Sequence, residues 1–195
     1  MADSPAAAGL TVKSGWASVV LLAGPSKAPR LIDARRIALS DPRIPESKQP
    51  YHAGFGTARG AGRELSWLVR SVERFGKRSV TQVIREYRAG GHRLRGAGIV
   101  VGSLIDPARI GNSYIRIHAL EGKLFREVVQ TALGRSRVRF TTWRERDLYP
   151  LAQRTLKRQN APLRSTLTML GQGVKGGWRA EEKAAALAAW LVLSA

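Results

Sequence analysis

The strongest constraint this chain places on its fold is the order in which two periodicities follow one another. Leu65, Leu68, Val69, Val72 and Phe75 recur at helical spacing, and Val80, Val83, Ile84 and Tyr87 continue the stripe. Residues 63–88 are therefore expected to form a helix with one apolar face, bent or broken at Gly76. Arg93–Leu104 is instead an apolar, β-branched run bounded by glycines, the pattern of a buried strand. Upstream, Leu10–Gly24 reads as a strand with a step at Lys13, Ser14 and Gly15, and Arg30–Leu39 as a second strand after the Gly24–Pro29 turn signal. A hairpin thus opens the chain. Downstream, a helix is expected from about Tyr114 to Leu133, a short strand over Val138–Thr142, and helices over Arg144–Leu156 and Leu163–Leu170. A glycine-rich break at 171–177 precedes a final helix over Arg179–Leu193. Helices alternating with short buried strands after an opening hairpin argue for a mixed α/β layered domain.

Residues 1–9 lack the basic and long apolar segments of a secretory signal and are expected to be a flexible tail, leaving 10–195 as one domain. Within it, Ser40–Gly62 holds Pro42, Pro45, Pro50 and four glycines, so a long irregular loop is expected at 40–62. Tyr51, His52 and Phe55 lie in that loop, and such a length in a compact domain points to a working segment.

Charge narrows the partners. The chain carries 33 Lys and Arg against 14 Asp and Glu, a formal +19, and a field of that sign attracts polyanions, nucleic acid first. The plainer alternative is a solvated surface of an arginine-rich protein. Arg135, Arg137, Arg139, Arg144, Arg146, Arg154 and Arg158 fall in a short region with Trp143 and Tyr149. Guanidinium groups bind phosphates bidentately and rings stack on bases, so this interleaving suits a single-stranded or distorted substrate. Trp143 and Phe140 could equally be core. No P-loop, zinc finger or dinucleotide fingerprint occurs. With no cysteine, disulfides and cysteine zinc sites are excluded. No apolar run approaches the 18 residues of a membrane span, so a soluble, cytoplasmic protein is expected.

His118 and Glu121 stand at i, i+3 on one expected helix. With His52 from the loop and Glu182 from the last helix they could form a polar pocket or a nonstandard hydrolytic site, offering a general base and metal ligands. A surface pair is the structural alternative for His118 and Glu121. For Glu181 and Glu182 it is the favourable place of acids in a first helical turn.

Three stretches, Leu10–Ala17 as opening strand and turn, Gly98–Ser103 as central strand and Arg179–Trp190 as final helix, resemble in their order the RNase H-like superfamily, and within it the RuvC-like Holliday junction resolvases, over roughly residues 9–194. The resemblance implies a mixed central sheet with flanking helices and a cluster of carboxylates holding two divalent metals for phosphodiester hydrolysis. It places the first acid in the opening strand, where this chain has Thr11, Val12 and Lys13. The second belongs near the end of the central strand, where Val101, Gly102 and Ser103 stand and Asp106 follows before a proline. Only Glu181 or Glu182 matches the last position. The expectation is therefore a basic nucleic-acid-binding protein of RNase H-like fold, with no standard two-metal site, no cofactor, and Lys13 as a phosphate-binding point charge or an exposed turn lysine. The alternatives are a divergent nuclease using His52, His118, Glu121 and Glu182 with Mg or Mn at Glu182, or a protein-interaction module. The resemblance also allows a homodimer.

Overall fold

The computed structural model describes residues 4–54 and 57–195. Phe55 lies outside the described residues, as do the first three positions of the expected tail. Strands β1 (Pro5–Lys13), β2 (Trp16–Ala23) and β3 (Arg30–Ala38) lead through a 3-10 turn at Pro45–Lys48 and a small hairpin, β4 (His52–Gly54) and β5 (Thr57–Ala58), to helix α1 (Arg63–Ala89). Strand β6 (Arg93–Val101), a turn at Pro107–Arg109, helix α2 (Ser113–Arg135) and strand β7 (Phe140–Arg144) follow. Helices α3 (Glu145–Leu156), α4 (Asn160–Leu170) and α5 (Ala180–Ser194) complete the chain.

The main sheet has the order β3-β2-β1-β6-β7, with β1, β2 and β3 antiparallel and β6 and β7 parallel to β1. Alternation along β1 divides the core between two layers. Ala6, Ala8, Leu10 and Val12 pack with α1 and α2, whereas Ala7 packs with α5, α3 and α4 on the other face.

Helix α5 is buried all round from Ala184 to Leu191, which its alanines and two strand glycines make feasible. A Cβ on Gly9 of β1 would stand 1.8 Å from the Ala185 carbonyl oxygen, and one on Gly98 of β6 would stand 2.7 Å from that of Ala188. The helix backbone therefore rests directly on the sheet.

Three expectations change. The turn falls inside Leu10–Gly24: Lys13 pairs with Trp16 across a two-residue loop in which Gly15 takes φ 81°, a conformation glycine adopts freely. The opening is thus a three-stranded meander. Residues from Pro5 to Gly9, expected as tail, belong to β1, and Ala6–Gly9 are buried between β2 and β6. Helix α1 runs through Gly76 unbroken, and the glycine is explained by space: a Cβ there would lie 2.6 Å from Val128 Cγ1 and 2.9 Å from the Leu39 carbonyl oxygen. Gly76 serves close approach, and packing outweighs its poor helix propensity.

The loop after β3 is tied down by its own side chains. Arg59 donates to the carbonyl oxygens of Pro50 and His52, each at 3.0 Å, and pairs with Glu64. Asp41 accepts two side-chain bonds from Arg43, at 3.0 and 2.8 Å. No helix among the described residues is long and apolar enough to cross a membrane.

Candidate functional site

Because β1, β6 and β7 run in one direction, their carboxyl ends at Lys13, Val101 and Arg144 share an edge of the sheet. Ala38 pairs with Trp16, so β3 ends there too and delivers the 40–62 loop to the same edge. Open α/β sheets bind ligands outside such an edge. A cavity of about 500 Å³ lies beside the Ser14–Gly15 turn, lined by Trp16, Arg36 and Lys48. A second, of about 370 Å³, is lined by Lys13, Ser103 and His118.

Register aligns Arg36, Ser18, Thr11, Val100 and Trp143 in a row across the sheet, beneath the start of α5. Thr11 Oγ1 donates to the Glu181 carbonyl oxygen at 2.9 Å. Glu182 is buried and accepts from Ser18 Oγ at 2.7 Å, Arg36 Nε at 3.1 Å and its own helix's Arg179 N at 2.9 Å. Burial raises its carboxyl, but these hydrogen bonds together outweigh it and hold the group below the ordinary carboxylate value. Arg36 also lies over the Trp16 ring at 4.3 Å. Lys13 Nζ meets Glu145 Oε2 at 3.1 Å, a half-exposed pair at the first residue of α3. Asp106 caps the Pro107–Arg109 turn through Ala108 N at 3.1 Å.

On the opposite face of the sheet, the loop brings His52 to α2. His52 Nδ1 lies 2.8 Å from Glu121 Oε1, and its ring centroid stands 4.8 Å from that of His118. Glu121 is fully buried, and its Oε2 has no hydrogen-bond partner among the described residues. Burial pushes this carboxyl up, against the lowering effect of His52 and weaker ones from Tyr51 and His118. Tyr114 packs edge-on against His118 with centroids 4.6 Å apart. Of the four residues expected to form a hydrolytic site, His52, His118 and Glu121 thus converge. Glu182 does not join them: it sits at the start of α5, in the layer across the sheet, and is consumed by capping and by Ser18 and Arg36.

The arginines expected to act together are separated. Arg135, Arg137 and Arg139 are exposed at the end of α2 and the entry to β7, the end of the sheet away from Lys13. Arg144 and Arg146 sit at the Lys13 end, both paired with Asp147. Arg154 is exposed and has no ion pair among the described residues. Arg158 lies over the core Trp190 ring at 5.2 Å and donates to the Lys27 carbonyl oxygen at 3.2 Å. Trp143 packs half-buried against the α5 cluster, its ring filling the space above Gly98. Sequence reasoning missed Arg36, Trp16 and Tyr114. Tyr114 was findable, since it stands four residues before His118 on the same helix; the place of Arg36 depends on strand register.

The fold is similar to that of Thermus thermophilus RuvC, with a TM-score of 0.53 at 9% identity, covering 95% of this chain and 92% of that one. It is also similar to T. thermophilus RuvC in complex with a Holliday junction substrate, with a TM-score of 0.55 at 12% identity, covering 95% and 91%. The chain therefore has an RNase H-like, RuvC-like fold. No protein-family model matches the sequence, and no curated protein does.

Proposed function

We propose that this chain is a basic nucleic-acid-binding protein that uses the RuvC-like fold without the two-metal carboxylate site. The observation that carries this is the Lys13 ammonium at the carboxyl end of β1, where the resemblance implies the first metal-binding acid. The remaining donors do not suit a metal pair either. Thr11 spends its hydroxyl proton on the Glu181 carbonyl, and Glu182, one of the two acids at the matching last position, is buried against Arg36 and Ser18. A divalent cation placed there would be repelled by the Lys13 ammonium and the Arg36 guanidinium.

What the edge offers instead is cations around concave surface: Lys13 beside one cavity, Arg36 and Lys48 beside another. Ammonium and guanidinium groups bind phosphates and release condensed counterions, which makes affinity steeply salt-dependent. A net charge of +19 adds long-range attraction. The related RuvC structure holds a Holliday junction substrate, so branched DNA belongs among the ligands to be tried. Arg135, Arg137, Arg139, Arg144, Arg146, Arg154 and Arg158 would extend phosphate contact, with the exposed Arg135–Arg139 group as a second, separate patch. One observation favours a second reading, a divergent metal-dependent nuclease: His52, His118 and Glu121 converge.

The test is a gel-shift series with labelled linear, branched and single-stranded DNA and RNA over a range of salt, with and without Mn²⁺. Intact, retarded bands that weaken steeply with salt are expected. Metal-dependent products abolished by Glu121→Gln would replace this function with the nuclease, and absence of retardation at low salt would refute nucleic-acid binding.

A further inference from the structure

We propose that His52, His118 and Glu121 form a binding site for one transition-metal ion of the zinc class. Two of the residues lie one helical turn apart on α2, and the third comes from β4, 69 residues from Glu121 in sequence. One ligand atom from each lies within 4.8 Å of the others. Glu121 Oε2, fully buried and without a partner among the described residues, independently points to a missing ligand. Buried carboxylate oxygens are ordinarily satisfied by a donor or a cation. Here His52 serves only Oε1, while the loop guanidinium of Arg59 is directed to the Pro50 and His52 carbonyl oxygens and to Glu64.

The donor set selects the metal. Two imidazole nitrogens and one carboxylate oxygen suit Zn²⁺, Co²⁺ or Ni²⁺, whereas Mg²⁺ prefers oxygen donors and retains much of its water. Three protein ligands also leave a coordination position open. It would face a cavity of about 600 Å³ lined by His52, His118, Tyr114, Glu46 and Arg59. The Tyr114 ring packs edge-on against the His118 imidazole, and the Arg59 bond to the His52 carbonyl oxygen holds the backbone that carries His52. The site lies across the sheet from Glu182 and does not depend on nucleic-acid binding.

The test uses untagged protein, stripped with a chelator and titrated calorimetrically with ZnCl₂ in the absence of nucleic acid, with Co²⁺ absorption as a second readout. One Zn²⁺ per chain is expected, with a raised unfolding temperature and no effect of Mg²⁺ at the same concentration. His118→Ala, at an exposed residue, should weaken Zn²⁺ binding by about 100-fold or more without changing the unfolding temperature of the metal-free protein. Glu121→Gln supplies a second ligand loss that preserves shape. No Zn²⁺ binding, or equal affinity in the wild type and both variants, overturns the proposal. Because no nucleic acid is present, either result leaves the binding function to be judged separately.

Discussion

Ser18 Oγ donates to Glu182 Oε1 at 2.7 Å, joining the middle of the sheet to the first turn of the final helix across 164 residues of sequence. The same carboxylate accepts from the Arg179 backbone amide and from Arg36. One buried acid thus caps α5, fixes it over β2 and neutralises a strand guanidinium.

Glu182→Ala should therefore destabilise the protein by about 2–4 kcal/mol, since it leaves Ser18 unpaired and removes the helix cap. Glu182→Gln keeps one acceptor oxygen, for Ser18 or for the Arg179 amide but not for both, since the two bind different oxygens of the carboxylate, and should cost less than Glu182→Ala. Urea denaturation measures both, and equal stability of Glu182→Ala and wild type would show that the network contributes nothing.

Acid should weaken the same tie. The Glu182 carboxyl titrates lower in the folded than in the unfolded protein, so its stabilisation is fully present above the unfolded value of about 4.3. It is lost as pH falls from there through the folded value. Unfolding curves between pH 7 and pH 3 should converge for wild type and Glu182→Gln at the acid end. A gap that stays constant with pH would show that titration of Glu182 is not involved.

Gly9→Ala should cost about 3 kcal/mol or more, because the added methyl meets helix backbone and not a movable side chain. Gly122→Ala on α2 is the control: a Cβ there meets nothing within 4 Å, and the substitution should stabilise by about 0.5–1 kcal/mol. Thermal unfolding of the two variants separates close packing from the general effect of replacing glycine.

Lys13→Ala should lower nucleic-acid affinity for all sequences alike and reduce the slope of log K against log salt by about one. Freeing Glu145 adds local negative charge and strengthens the loss. Replacing Arg135, Arg137 and Arg139 together by alanine tests the other end of the sheet. If that triple variant loses affinity while Lys13→Ala retains it, the binding surface lies away from the carboxyl edge.

Much of this architecture was legible in the sequence because periodicity is local. The stripe from Leu65 to Tyr87, the apolar run ending at Val101 and the Ala-rich last helix each declare which neighbours they bury, and their order carried the resemblance that the fold bears out. Net charge and the lysine at the end of β1 were equally plain. Tertiary structure alone decided how those pieces touch. Gly76 has the same composition cue whether it breaks a helix or admits Leu39 and Val128, and only the packed partner distinguishes the two. Glu182 looked like a ligand until Ser18 and Arg36 were brought to it by strand register, and the arginines of residues 135–158 were parted because α3 and β7 carry them to different ends of the sheet. His52 met His118 and Glu121 for the converse reason: a loop tied by Arg59 closes a long separation in sequence, and no local pattern encodes such a closure.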